Sequence, residues 1–288
     1  MAPTLGGGGD GENHERTRPV LCHRGDMTNS SARPRLGVPR HLEGLREAMV
    51  AFVRYADRAG LRAPVPTTPD WTVRRLVAHQ GMVHRWAVAT IRGLPADPDA
   101  LEQEGIDAAD PLDWLGDGAI DLVTALVRAP DDLSAPVFLR DAPAPREFWA
   151  RRQCHETTIH AVDALAAQLG RLPRAADAGW IAEEVALDGI DELLTGFVTR
   201  PRSRLRSPEP HRIVVLPEDG GVAWTVDVGP TPAVTTRVDP AARPDGDSLL
   251  RGSAVALYLT LWNRSDEVTP CSDDDWDDTW RDAGITWG

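Results

Sequence analysis

The sequence predicts an α+β protein: an N-terminal four-helix bundle followed by a small α+β C-terminal domain. Three observations carry this reading. Apolar residues recur at helical spacing in four segments between residues 40 and 170. Beyond residue 210 the apolar period falls to two, the signature of strands. A short, almost wholly apolar helix then follows the last strand pattern. At 288 residues the chain has length for two domains, and 42% hydrophobic content suffices for a buried core.

Residues 1–38 are rich in glycine, proline and polar groups and carry no apolar period, which predicts a disordered arm, with Met27 as an alternative start. From Arg40, the residues Leu42, Leu45, Met49, Phe52, Val53 and Ala56 define a first helix that Gly60 stops. The prolines of "LRAPVPTTP" force an extended connection, and Asp70 is the expected cap of a second helix. Its apolar face runs through Val73, Leu76, Val83 and Trp86, and His79 falls on that face. A third helix is expected from Leu112 to Val127. A fourth begins near Pro143 and Pro145 and runs to Gly170, with Trp149, Arg152, Glu156, His160 and Asp163 in one stripe. Four such helices with these connections describe an antiparallel bundle over residues 39–172.

A further amphipathic helix, Ala178 to Val198, opens the C-terminal domain, expected over residues 177–265. After the arginine-rich loop "RPRSRLRSPEP" come the strand patterns "HRIVVLPE", "GVAWTVDVG" and "AVTTRVD", then a fourth near Leu249 to Arg251 that leads into the helix of "SAVALYLTLWNR". Residues 266–288 form an acidic tail whose run "SDDDWDD" reads as solvated.

A net charge of −13 argues against nucleic acid or an anionic membrane as the main partner, since both repel it. No window approaches the roughly 18–20 apolar residues of a membrane span, and the start lacks the apolar core of a signal peptide, so a cytoplasmic protein is expected. Cys22, Cys154 and Cys271 are far apart and form no CxxC pair, which suggests neither a disulfide framework nor a thiolate zinc site. All 31 basic residues are arginine, which excludes Schiff-base chemistry and a P-loop lysine.

The histidines divide unequally. His14 and His23 lie in the predicted arm, and His41 and His211 at element starts; each is expected to be solvated. His84 points away from the face of His79, and His155 and Cys154 point away from the Glu156 stripe, to packing or exposure. Glu156 and His160 stand one helical turn apart and project from one face. Such a pair holds a metal ion or makes a simple hydrogen bond, and spacing leaves both readings open. A lone histidine such as His79 is usually a satisfied core residue. Two histidines and a carboxylate, however, are a recurrent ligand set for a catalytic divalent metal, and bundle cores are where such sites are built. Asp163, three residues after His160, can orient it or make an outward ion pair.

The segments "PVPTTPDWTVRRLVAHQGMVHRWA" (64–87), "RRQCHETTIHAVDALAA" and "LRGSAVALYLTLWNR" resemble the mycothiol-dependent maleylpyruvate isomerase family of actinobacteria, over about residues 39–265 in order. The resemblance implies a DinB-like bundle, a sterol-carrier-like C-terminal domain, and zinc ligands at His79, Glu156 and His160. It also implies mycothiol as thiol cosubstrate, activated as a zinc-bound thiolate for addition to an electrophilic small molecule, with isomerisation or thiol transfer as the outcome. Arg264 is the candidate arginine from the C-terminal domain for gripping a carboxylate, and Arg152 either pairs with Glu156 or faces the cavity. The expected partners are thus a small substrate and a thiol, acting on a monomer. A metal-dependent hydrolase on the same site and a non-enzymatic small-ligand binder are the rival readings.

Overall fold

A computed structural model of the chain describes residues 36–218, 220–271 and 276–284. The predicted arm up to residue 35, with His14, His23, Cys22 and Met27, lies outside the described residues, as does the run 272–275.

The bundle is formed by α1 (Val38–Ala59), α2 (Val73–Ile91), α4 (Pro111–Arg128) and α5 (Pro145–Leu169). Each starts where proline or a capping side chain permits. Pro111 and Pro145 occupy first helical turns, where a missing N–H costs nothing, and Asp110 Oδ1 accepts from Leu112 N and Asp113 N. Thr72, not Asp70, caps α2, its hydroxyl accepting from Arg75 N. Asp70 sits in the tight turn just before and is too early to reach the free N–H groups. Gly170 ends α5 in the left-handed conformation at φ 67°. Helix α5 is the axis of the molecule: every residue from Phe148 to Ala166 is buried, so its polar stripe is enclosed on all sides.

One element was not expected. Helix α3 (Pro98–Asp107) carries only Leu101 and Ile106 as large apolar residues, too few for a period, although Asp97 caps it and Pro98 starts it.

The predicted fifth helix is divided into a 3-10 turn (Ala175–Ala178), α6 (Glu183–Asp191) and a π-helical turn (Glu192–Phe197). A four-stranded sheet follows: β1 (His211–Pro217), β2 (Ala223–Val228), β3 (Val234–Val238) and β4 (Ser248–Gly252), in the order β3-β2-β1-β4. β1 and β2, and β2 and β3, pair antiparallel, whereas β4 joins β1 in parallel. Helix α7 (Ala254–Leu261) leaves β4 through Gly252, its first turn capped by Ser253. Part of the tail expected to be solvated is instead a helix, α8 (Trp276–Ala283), tied down by Trp280 Nε1 donating to Leu261 O at 2.9 Å. Among the described residues no helix is long and apolar enough to cross a membrane.

The C-terminal domain is bolted to the bundle by buried polar contacts. Asp188 Oδ2, on α6, receives His41 Nε2 of α1 at 3.0 Å, His155 Nε2 of α5 at 2.8 Å and Arg151 Nε of α5 at 2.8 Å. His41 is therefore not solvated at a helix start; the α6 carboxylate closes over it. His211 also departs from expectation: it is half-buried, with Nε2 2.8 Å from Ser248 Oγ. His155 and Cys154 are fully buried, the packing alternative for both.

Candidate metal centre

The loop before α2 is a small clamp. Val65 N donates to Trp71 O at 3.1 Å, Trp71 N to Thr68 O at 2.8 Å, and Val73 N to Ala63 O at 3.0 Å. These bonds fix the Trp71 indole beside the next helical turn. Its ring lies 4.8 Å from that of His79 and stacks on His160 at 6.2 Å and 20°.

Helix periodicity then brings three donors together. His160 Nε2 is 3.1 Å from Glu156 Oε1, and His79 Nε2 reaches the same oxygen at 4.0 Å. Donor atoms of His79, Glu156 and His160 all lie within 4.8 Å of one another. Glu156 and His160 are enclosed, but the His79 side chain is 22% exposed, so the group is reached from outside along the Trp71–His79 side.

Both α5 members of the group are held from behind. Arg152, wholly buried, donates Nη2 to Glu156 Oε2 at 3.1 Å and Nη1 to Glu192 Oε2, which keeps Oε1 turned toward the histidines. His160 Nδ1 contacts Asp163 Oδ2 at 2.8 Å. Asp163 is gripped in turn by Arg264 through Nε at 2.9 Å and Nη2 at 3.1 Å, while Arg264 Nη1 donates to Trp262 O at 2.8 Å. The structure thus places both sequence-predicted arginines on carboxylates next to the donor group, not in an open cavity.

The electrostatics follow from this enclosure. Burial alone would lower the pKa of His160, but its bonds to Asp163 and Glu156 raise it to about 9. Burial likewise pushes Glu156 up, and the His160 bond with the neighbouring charges outweighs it, bringing the carboxyl to about 2. Asp163 is held below the usual carboxylate range against its burial, by Arg264 first and His160 second. His160 is thus favoured as the imidazolium, set between the carboxylates of Glu156 and Asp163.

A second group, His41, His155 and Asp188, is equally compact. There the Arg151 guanidinium already occupies the Asp188 oxygen shared by both histidines, and both rings are sealed. That group reads as an interdomain clasp. The His79 group differs in having one member, His79, whose side chain is partly exposed. Two imidazole nitrogens and one carboxylate oxygen, with positions left for water or substrate, fit a catalytic divalent cation, zinc foremost.

Three neighbours of the site escaped the sequence reading. Gln80 and His84 of α2 are buried against α5: Gln80 Nε2 lies 2.8 Å from His84 Nε2, and both meet Thr157 Oγ1 at 3.0 Å. Helical phase pointed His84 away from His79, correctly, but that direction is bundle interior. Glu102, on the unexpected α3, approaches His79 Nδ1 at 3.9 Å. The pair Asp97-Pro98 was the available signal for that helix.

Fold and donor set define the class: a helical bundle with a His/Glu/His candidate metal centre, closed by a mixed α+β domain. Residues 42–165 match the mycothiol maleylpyruvate isomerase N-terminal domain, and residues 184–283 match the C-terminal domain of the same family. The chain belongs to the mycothiol-dependent maleylpyruvate isomerase family, a family of enzymes. Two crystal structures of the mycothiol-dependent maleylpyruvate isomerase, one a histidine-to-alanine mutant, share the fold: the mutant superposes with TM-score 0.55 and the other with 0.53. Each is 16% identical, over 82% of this chain and 93% of the other. Comparison with curated protein sequences gives no match.

Proposed function

We propose that this chain is a mycothiol-dependent metalloenzyme in which His79, Glu156 and His160 hold one zinc or similar divalent cation. The observation that carries the reading is the convergence of three donor atoms from α2 and α5 within 4.8 Å, with both α5 ligands braced by buried ion pairs. When bound, the cation lowers the pKa of a coordinating thiol and so supplies a thiolate near neutral pH.

The chain's own residues do the rest. Arg152 holds Glu156 and Asp163 holds His160, so neither ligand has to be ordered when the cation arrives. Trp71 packs against the rings of His79 and His160 and walls that side of the group. Family membership supports mycothiol as the thiol, and an electrophile with a conjugated double bond, maleylpyruvate-like, as its target. The sulfur adds to one alkene carbon as the π electrons shift onto the conjugated carbonyl oxygen, the former double bond turns as a single bond, and the returning electron pair re-forms the alkene and expels the sulfur with the electrons of its bond to carbon. The thiol is regenerated and the net change is cis–trans isomerisation; release of the adduct instead is thiol transfer. Arg264 and Arg152 act in this reading as positioning residues, because Arg264 is engaged with Asp163 and Trp262 O, and Arg152 with Glu156 and Glu192.

Purification without chelators or metal-affinity tags, followed by elemental analysis of the parent and of His79→Ala, Glu156→Ala and His160→Ala, tests the site. About one zinc per chain, lost in each variant, is expected. Isomerisation of a maleyl-type diacid with and without mycothiol then tests the reaction. A parent that takes up no metal overturns the proposal.

A further inference from the structure

Helix α3 contributes little to the core, and Gly105 is its one buried residue. It is nevertheless pinned from several sides. The Trp114 indole of α4 lies across two glycines, and a Cβ on Gly81 or Gly105 would come within 2.2 or 2.5 Å of its Cζ3. Trp114 Nε1 donates to Glu104 Oε1 at 3.1 Å, and the Arg85 guanidinium covers the same ring at 3.6 Å. Arg74 Nη1 donates to Ile106 O at 2.8 Å, holding the helix end. A helix anchored this firmly without an apolar face serves to present something else.

What it presents, one turn before Gly105, is Glu102. Its Oε2 lies 3.9 Å from His79 Nδ1, and its Oε1 accepts from Arg75 Nε at 3.4 Å. The Arg75 guanidinium stands over Trp71 at 5.1 Å, and Trp71 packs on His79, which closes a ring of four side chains. We propose that Glu102 is a positioning residue for His79, doing on α3 what Asp163 does for His160 on α5. The inference rests on the metal reading above.

The geometry explains why such a residue is needed. Glu156 and His160 share one helix and are braced from behind, whereas His79 comes alone from α2 on the accessible side. A carboxylate at Nδ1 selects the tautomer with the proton on Nδ1 and leaves the Nε2 lone pair facing Glu156 Oε1. Closing the contact to hydrogen-bond length requires about 1 Å of movement, within reach of a partly exposed glutamate.

The test is zinc titration of the metal-free, full-length protein against a competing chromophoric chelator, for the parent, Glu102→Gln and Glu102→Asp, with thermal melting of each metal-free form. Cobalt spectra of the same proteins report ligand geometry. Glu102→Gln is expected to bind zinc about 10- to 100-fold more weakly with an unchanged melting temperature and an altered cobalt spectrum, and Glu102→Asp to recover part of the loss. A Glu102→Gln affinity within about twofold of the parent, with the same cobalt spectrum, overturns the role of Glu102 while leaving the metal site standing. A parent that binds no zinc overturns the metal reading itself, and this inference with it.

Discussion

Arg264, in the segment after α7, grips Asp163 of α5 with two donors at 2.9 and 3.1 Å, and Asp163 passes the constraint to His160 at 2.8 Å. The C-terminal domain thus reaches His160 of the bundle, a proposed metal ligand, through one buried carboxylate. Removing the arginine leaves Asp163 enclosed with only an imidazole for company. Arg264→Gln is expected to destabilise the metal-free protein by on the order of 3 kcal/mol, read from urea denaturation. Because the two residues share one interaction, Arg264→Gln and Asp163→Asn combined are expected to cost clearly less than their sum. Additivity within about 0.5 kcal/mol would show that the pair is not coupled.

His84 is buried beside Gln80 and Thr157, and burial, with Arg85 nearby, lowers its pKa from 6.5 to about 3. The folded state therefore favours the neutral ring, and below the unfolded pKa the unfolded chain binds the extra proton. Stability from this group is complete above about pH 6.5 and is lost as pH falls toward 3. A steep decline in unfolding free energy between pH 6.5 and 4.5 is expected, and it is expected to be shallower in His84→Gln. Parallel slopes for the two proteins would rule His84 out as the source.

Gly81 makes room for Trp114, whose ring atom Cζ3 would stand 2.2 Å from an added Cβ. Gly81→Ala must push the indole away and with it the packing of α3 and α4 on α2. A loss of about 1–3 kcal/mol is expected despite alanine's higher helix propensity. A stabilised Gly81→Ala protein would mean that the indole moves freely.

Asp188 accepts from His41, His155 and Arg151 at one oxygen, and despite its burial these partners, Arg151 foremost, hold its carboxyl well below the usual range. Its contribution is present above the ordinary carboxylate pKa and is lost as pH falls below it. Asp188→Ala leaves Arg151 with a weakened set of buried partners and unlatches α6 from α1 and α5. About 3–5 kcal/mol of stability should go, with increased protease sensitivity between the bundle and the sheet. An unfolding midpoint equal to the parent's would refute the clasp.

The four bundle helices, the strand run and the Glu156/His160 pair were legible along the chain, because each rests on a local period: 3.6 residues per turn, or two per strand step. The polar stripe of α5 is such a pattern, and so is the position of His79 on the apolar side of α2. Helix α3 was not legible, since it buries one glycine and is held by Trp114 and Arg74 from other elements. The division of the fifth helix into a turn, α6 and a π-helical segment, and the order of the strands, likewise answer to the surface they pack on.

Partner choice is what sequence spacing withholds. Arg152 finds Glu192, Arg264 finds Asp163, and His41 finds Asp188, pairs separated by 40, 101 and 147 positions. Periodicity says which face of an element a side chain leaves from, and here the faces it gave to His79 on α2 and to Glu156 and His160 on α5 meet. Which carboxylate waits opposite, and whether a polar face looks out to water or into a second domain, is decided when apolar burial packs the elements together and every enclosed charge must find a counterpart.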